Sequence, residues 1–125
     1  MTPRALHGLN VTVDRVLHAP DLMGPPDRPH VFVYFITISN ESDETVTIKG
    51  RKWVIREANG DTIAVEGDGV VGEFPRLEPG GRFSYNSSHA AAFDAVAEGA
   101  YLGVTDTGEP VFTRIPRFEM RIPPY

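Results

Sequence analysis

The chain has no cysteine in 125 residues, and that absence removes several classes of function. Without cysteine there are no disulfides, no thiolate metal sites and no thiol nucleophiles, a composition suited to a reducing cytoplasm. No stretch approaches the ~18 apolar residues of a membrane span, and residues 1–8 lack the apolar run of a signal peptide, so a soluble cytoplasmic protein without a membrane partner is expected. Positive charge is also in deficit. Twelve Lys and Arg against 17 Asp and Glu give a net charge of -5, which works against non-specific binding to phosphate backbones. Arg114, Arg117 and Arg121 with Arg82 make the one candidate basic strip, but Glu119 lies between two of them. Neither an aromatic RNA-binding motif nor net basic charge accompanies it, and nucleic acid is not an expected partner.

What the chain has in quantity is turn formers, with 12 glycines and 11 prolines, while 41% hydrophobic residues suffice for one packed core. Short strands are favoured. Leu9, Val11, Val13 and Leu17 share one parity, interrupted by Arg15, as in a strand with one buried face. Residues 19–29, with four prolines, read as a long loop. Residues 30–40 begin apolar on both faces (Val31, Phe32, Val33, Tyr34, Phe35, Ile36), which predicts a central strand. Residues 40–44 are a polar turn. In the next strand Val46 and Ile48 have even parity but Trp53 and Ile55 odd parity, so a β-bulge near Gly50 is expected, with Trp53 in the core.

Asn59-Gly60 predicts a type I′ hairpin turn. Pro79-Gly80-Gly81 and Asp106-Thr107-Gly108 mark further turns, and Pro116 predicts that the last strand is bulged or at an edge. In 88–98, Ser88 as N-cap, Phe93, Val96 and Ala97 on one face and Gly99 as terminator suggest a turn or two of helix, a reading the pattern leaves open. About seven strands at this spacing indicate an all-β sandwich of the immunoglobulin-like type.

The densest motif is Glu66-Gly67-Asp68-Gly69-Val70-Val71-Gly72-Glu73-Phe74-Pro75. Its G-x-G-x-x-G spacing is that of a nucleotide-phosphate loop, but such a loop leads into a helix, and Pro75 and Pro79-Gly80-Gly81 leave no room for one. Turn positions with positive φ or close backbone packing are the simpler reading of Gly67, Gly69 and Gly72. A backbone N–H nest for pyrophosphate or a nucleotide is the alternative, with Glu66, Asp68 and Glu73 repelling phosphate unless a divalent cation intervenes. His7, His18, His30 and His89 show no metal-ligand spacing. Ser87-Ser88-His89 lacks the surrounding motif of a hydrolase, and no catalytic residue is assigned.

Gly67-Asp68-Gly69-Val70-Val71-Gly72-Glu73-Phe74-Pro75 together with Arg51-Lys52-Trp53-Val54-Ile55 before it, and Leu77-Glu78-Pro79-Gly80, Phe83-Ser84-Tyr85, Gly99-Ala100-Tyr101 and Ile115-Pro116-Arg117-Phe118 after it, resembles the ApaG family over about residues 11–122. The chain departs from the family's frequent residues at Lys52, Phe74, Ala95 and Ala97. The resemblance implies one fibronectin type III-like domain spanning 1–125, with its core at about 9–122. It also implies a role without an assigned reaction, bacterial members having been linked to cobalt and magnesium handling. The reading that follows is a non-catalytic protein-binding module with no cofactor. Its candidate surface is Glu66, Gly67, Asp68, Gly69, Val70, Gly72, Glu73 and Phe74, with Val70 and Phe74 as exposed apolar anchors. A small-molecule site for pyrophosphate or a nucleotide at the same loop is the alternative.

Overall fold

A computed structural model describes residues 2–124. Its strands are β1 (Arg4–Ala5), β2 (Leu9–Met23), β3 (His30–Asn40), β4 (Val46–Glu57), β5 (Thr62–Asp68), β6 (Arg76–Leu77), β7 (Arg82–Ala91), β8 (Ala95–Thr105) and β9 (Pro110–Met120). They form two sheets. One has the order β1-β9-β8-β4-β5, with β6 also on β4, and the other the order β2-β3-β7. Both turn apolar faces onto a shared core that includes Leu9, Phe32, Ile36, Ile38, Val46, Ile48, Trp53, Tyr101, Ile115 and Phe118. This is the expected all-β sandwich. Seven strands are long, and β1 and β6 are two-residue pairings at its margins.

Two bulges explain how sequence of changing parity keeps one face inward. In β4, Ile48 pairs with Gly103 but Gly50 with Leu102, so Lys49 is the extra residue. Val46 and Ile48 before it and Trp53 and Ile55 after it are all buried. The predicted bulge is therefore present, and Trp53 lies in the core with its ring 5.3 Å from Tyr34 and edge-on to Phe118 at 5.9 Å. In β9 two residues, Pro116 and Arg117, lie between Ile115 and Phe118 opposite the single Glu98 between Gly99 and Ala97, so the strand bulges at Pro116, where no N–H is needed, and both Ile115 and Phe118 stay buried. β3 is the central strand of its sheet, as its apolar run predicted.

Four expectations are corrected. β2 also bulges, at Asp14, because Val13 pairs with Ile36 and Arg15 with Phe35. Past that point Val16 packs on the core in place of Leu17. Residues 19–29 are not one long loop, because β2 runs on to Met23; Pro20 is accommodated since β2 is an edge strand. The β4–β5 connection is not a type I′ turn, for Gly60 alone has positive φ (98°). The Gly60 N–H donates to the Glu57 carbonyl (2.9 Å) and the Glu57 N–H to the Asp61 carbonyl (2.9 Å), a three-residue loop closed by a glycine bulge. Residues 88–98 are not helical. β7 continues to Ala91 and β8 starts at Ala95, with Ala91, Ala95 and Ala97 buried in strand pairing.

β2 and β9 close one side of the sandwich, where the Thr113 hydroxyl donates to the Leu9 carbonyl at 2.7 Å. The opposite side is bounded by β5 and β7, the end strands of the two sheets. Deleting Lys49 would remove the β4 bulge and turn one half of the strand's buried set outward. Cooperative unfolding followed by circular dichroism should be lost in that deletion, whereas Lys49→Ala should retain it at a cost of at most about 1 kcal/mol, from its position over the Phe74 ring.

Candidate functional site

The glycine motif begins in β5 and ends in a tight turn. Gly67 is directly opposite Arg51 in the β4–β5 ladder. A side chain at Gly67 would place its Cβ 2.7 to 2.8 Å from the Arg51 guanidinium, so the glycine makes the space in which that group lies. The guanidinium is in turn anchored by the motif. Its Nη1 donates to the Asp68 carbonyl at 2.8 Å and to the Gly69 carbonyl at 3.3 Å. Gly69 has φ 66°, its N–H donates to the Lys49 carbonyl (2.8 Å), and a Cβ on it would meet the Glu73 carbonyl at 2.5 Å.

Val70 to Glu73 is a two-residue turn closed at both ends. The Val70 N–H donates to the Glu73 carbonyl (2.8 Å) and the Glu73 N–H to the Val70 carbonyl (2.9 Å). Its central residues, Val71 and Gly72, have φ of 44° and 81°, the type I′ geometry. Val71 is the only non-glycine with positive φ among the described residues. A β-branched side chain is disfavoured there by about 1–2 kcal/mol. Val71 is 51% exposed and Phe74 is 53% exposed, whereas Val70 is fully buried in the core. The expectation that Val70 is an exposed anchor is therefore wrong, and the exposed pair is Val71 and Phe74. Sequence reasoning missed Val71 because a Val-Gly dipeptide is not an ordinary type I′ signal.

This geometry commits three of the five N–H groups of residues 69–73. The N–H groups of Gly69, Val70 and Glu73 are spent on Lys49, Glu73 and Val70 carbonyls, and the chain runs on to Pro75 and β6 instead of a helix. Glu66 faces outward and pairs with Lys52 (3.5 Å). Among the described residues no three His, Asp or Glu side chains gather to hold a metal ion.

Between the free edges of β5 and β7 the sheets part into a cleft of about 510 Å³. Arg51, Trp53, Ile55 and Val65 line it from one sheet, Tyr34, Tyr85, Ser87 and His89 from the other, and Asp68, Val71 and Gly72 at its rim. Burial pushes the Tyr85 phenol up to about 12, and raises Tyr34 as well, against the lowering effect of Ser87 and the Arg51 charge. The Tyr85 hydroxyl is hydrogen-bonded to that of buried Tyr101. Ser87 and His89 share the inner side of β7, with Ser88 between them also reaching the cleft, but the His89 Nε2 accepts from neither serine.

The His89 Nε2 is buried and has no hydrogen-bond partner. His18 and His30, twelve residues apart, meet across β2 and β3 with Nε2 and Nδ1 3.3 Å apart, a pairing that only strand register reveals. The candidate basic strip divides. Arg82 is on β7, in the other sheet from Arg114 and Arg117, and Arg121 pairs with Glu119 at 2.6 Å.

The model of the ApaG domain matches residues 21–104. The chain belongs to the ApaG family. The protein ApaG of Xanthobacter autotrophicus is 42% identical over 100 residues, 79% of this chain and 77% of that protein, and ApaG of Vibrio cholerae is 39% identical over 79% of each. The crystal structure of the putative ApaA protein from Bordetella pertussis superposes with a TM-score of 0.85 at 29% identity, covering 97% of this chain and 98% of that one. The resemblance seen in the glycine motif and its flanks thus extends to the ApaG fold as a whole.

Burial lowers the His89 pKa from its ordinary 6.5, with Glu57 acting against and Arg28 with the shift. The unfolded chain therefore binds the proton more readily, and the stability due to neutral His89 is complete above that ordinary value and declines as pH falls through and below it. The thermal midpoint should drop between about pH 7.5 and about pH 5.5 in the parent and drop less in His89→Gln. Equal pH dependence in the two proteins would show that His89 is not neutral in the folded state.

Proposed function

We propose that this ApaG domain is a non-catalytic binding module that captures a partner protein through the tip of the glycine motif. The observation that carries this reading is Val71, an apolar side chain half exposed on strained backbone beside the equally exposed Phe74. Strain in an exposed position contributes nothing to folding, and backbone strain of this kind is typical of surfaces that bind. Val65, also exposed, continues the apolar surface onto β5, whose outer edge has free backbone groups on which a partner strand can add. The acidic groups Glu66, Asp68 and Glu73 surround the apolar tip and favour a partner with basic side chains near its own apolar contact. The cysteine-free composition suits a cytoplasmic setting for this encounter.

Stability and capture should part company at this turn. Val71→Asn converts it to Asn-Gly, the preferred type I′ pair, and should raise stability by about 1 kcal/mol while weakening retention of the partner on the immobilised domain. Phe74→Ala should weaken retention as well at a stability cost of about 1 kcal/mol, because half of the ring is already in water. Undiminished retention by both variants would refute the tip as the binding surface. A loss of about 3 kcal/mol or more in Phe74→Ala would show that the ring serves the core.

A further inference from the structure

We propose that the cleft between β5 and β7 is a second binding site, for a small organic carboxylate with an apolar body. Its central group is Arg51. A guanidinium taken partly out of water normally has a carboxylate partner, because desolvating a cation is costly. Arg51 makes no ion pair among the described residues; only its Nη1 is engaged, by the neutral carbonyls of Asp68 and Gly69. Its other donors are without hydrogen bonds among the described residues. The glycine at 67 holds the guanidinium against β5, so the remaining face of the fork is presented by a fixed group. Such a fork matches the two oxygens of a carboxylate.

The surroundings select the rest of the ligand. Tyr34 and Ser87 bring hydroxyl groups to the same cleft as Arg51, and hydroxyls donate to an oxyanion. Trp53, Ile55 and Val65 form an apolar wall, and the volume of about 510 Å³ falls within the range of small-molecule sites, roughly 300–1,000 Å³. The His89 Nε2, buried without a partner, is a further polar position for a ligand to satisfy. Charge count limits the ligand to one negative group. Arg51 is the one Lys or Arg lining the cleft, while Asp68 is at its rim and Glu66 and Glu73 flank the same turn. A pyrophosphate or nucleotide would bring several negative charges to a single cation and those acids. The site adjoins the capture surface at the tip, with Val65 and the rim residue Val71 common to both, while Arg51, Tyr34 and His89 belong to the cleft alone.

Trp53 is the only tryptophan of the chain and lines the cleft, so its indole N–H resonance reports occupancy directly. The purified protein is titrated with benzoate, phenylacetate and cyclohexanecarboxylate, with benzamide as the neutral analogue, and with inorganic pyrophosphate and AMP. Saturable shifts of the Trp53 resonance with the carboxylates are expected, together with a raised thermal midpoint, and benzamide should bind at least tenfold more weakly. Arg51→Met should weaken carboxylate binding at least tenfold. Because Arg51 also anchors the glycine turn, Ser87→Leu is the second variant, filling the cleft from an edge strand while leaving Arg51 in place, and it should abolish the shifts in a folded protein. The proposal is overturned if no carboxylate gives a saturable shift, if benzamide binds equally well, or if Ser87→Leu binds as the parent does. Tighter binding of pyrophosphate or AMP than of the carboxylates would equally overturn it.

Discussion

One extra residue in β4 governs the arrangement of this domain. Without the bulge at Lys49, the strand could bury either Val46 and Ile48 or Trp53 and Ile55, but not both sets. The bulge lets the same strand fill the core at one end and bring Arg51 and Trp53 to the cleft at the other. It also positions the glycine motif, since the carbonyl of Lys49 accepts the N–H of Gly69. Core, cleft and turn therefore share a single local irregularity, and a change of one residue in β4 reaches all three.

The glycine motif acts with the opposite polarity to a phosphate loop. A phosphate loop directs N–H groups at an anion, and glycine is needed so that the backbone can come close. Here the absent side chain of Gly67 makes room for a cation, and the carbonyls of Asp68 and Gly69 accept from it. The N–H groups of Val70 and Glu73 are consumed in closing the turn. The same spacing of glycines thus holds the protein's own guanidinium.

Strain and openness gather on the same side of the molecule. β2 and β9 seal one flank, whereas the β5 and β7 flank keeps free edges, the cleft and the positive φ of Val71. The buried tyrosines and the Trp53 cluster make the floor of that flank rigid, through the Tyr85–Tyr101 hydrogen bond and the packing of Tyr34 on Trp53. A rigid floor beneath an exposed, strained tip is an arrangement suited to recognition, because little ordering remains to be done when a partner arrives.

Local sequence determined the strands, the main turns and two of the bulges, since period-2 burial and the switch of parity between Ile48 and Trp53 are properties of neighbouring residues. It was also enough to single out the glycine motif and place the chain beside the ApaG family. The helical reading of 88–98 failed because the spacing of Phe93, Val96 and Ala97 is a short local pattern, and the pairing of β7 and β8 within their sheets overrides it. Val70 and Val71 are identical in type, yet one is fully buried and the other half exposed, because the turn's handedness sends them to opposite sides. The meeting of Arg51 with Gly67, of His18 with His30 and of Trp53 with Ser87 and His89 around a cleft arises from register and sheet stacking. Those are contacts between residues distant in the chain, and their geometry exists only once the two sheets have closed on one core.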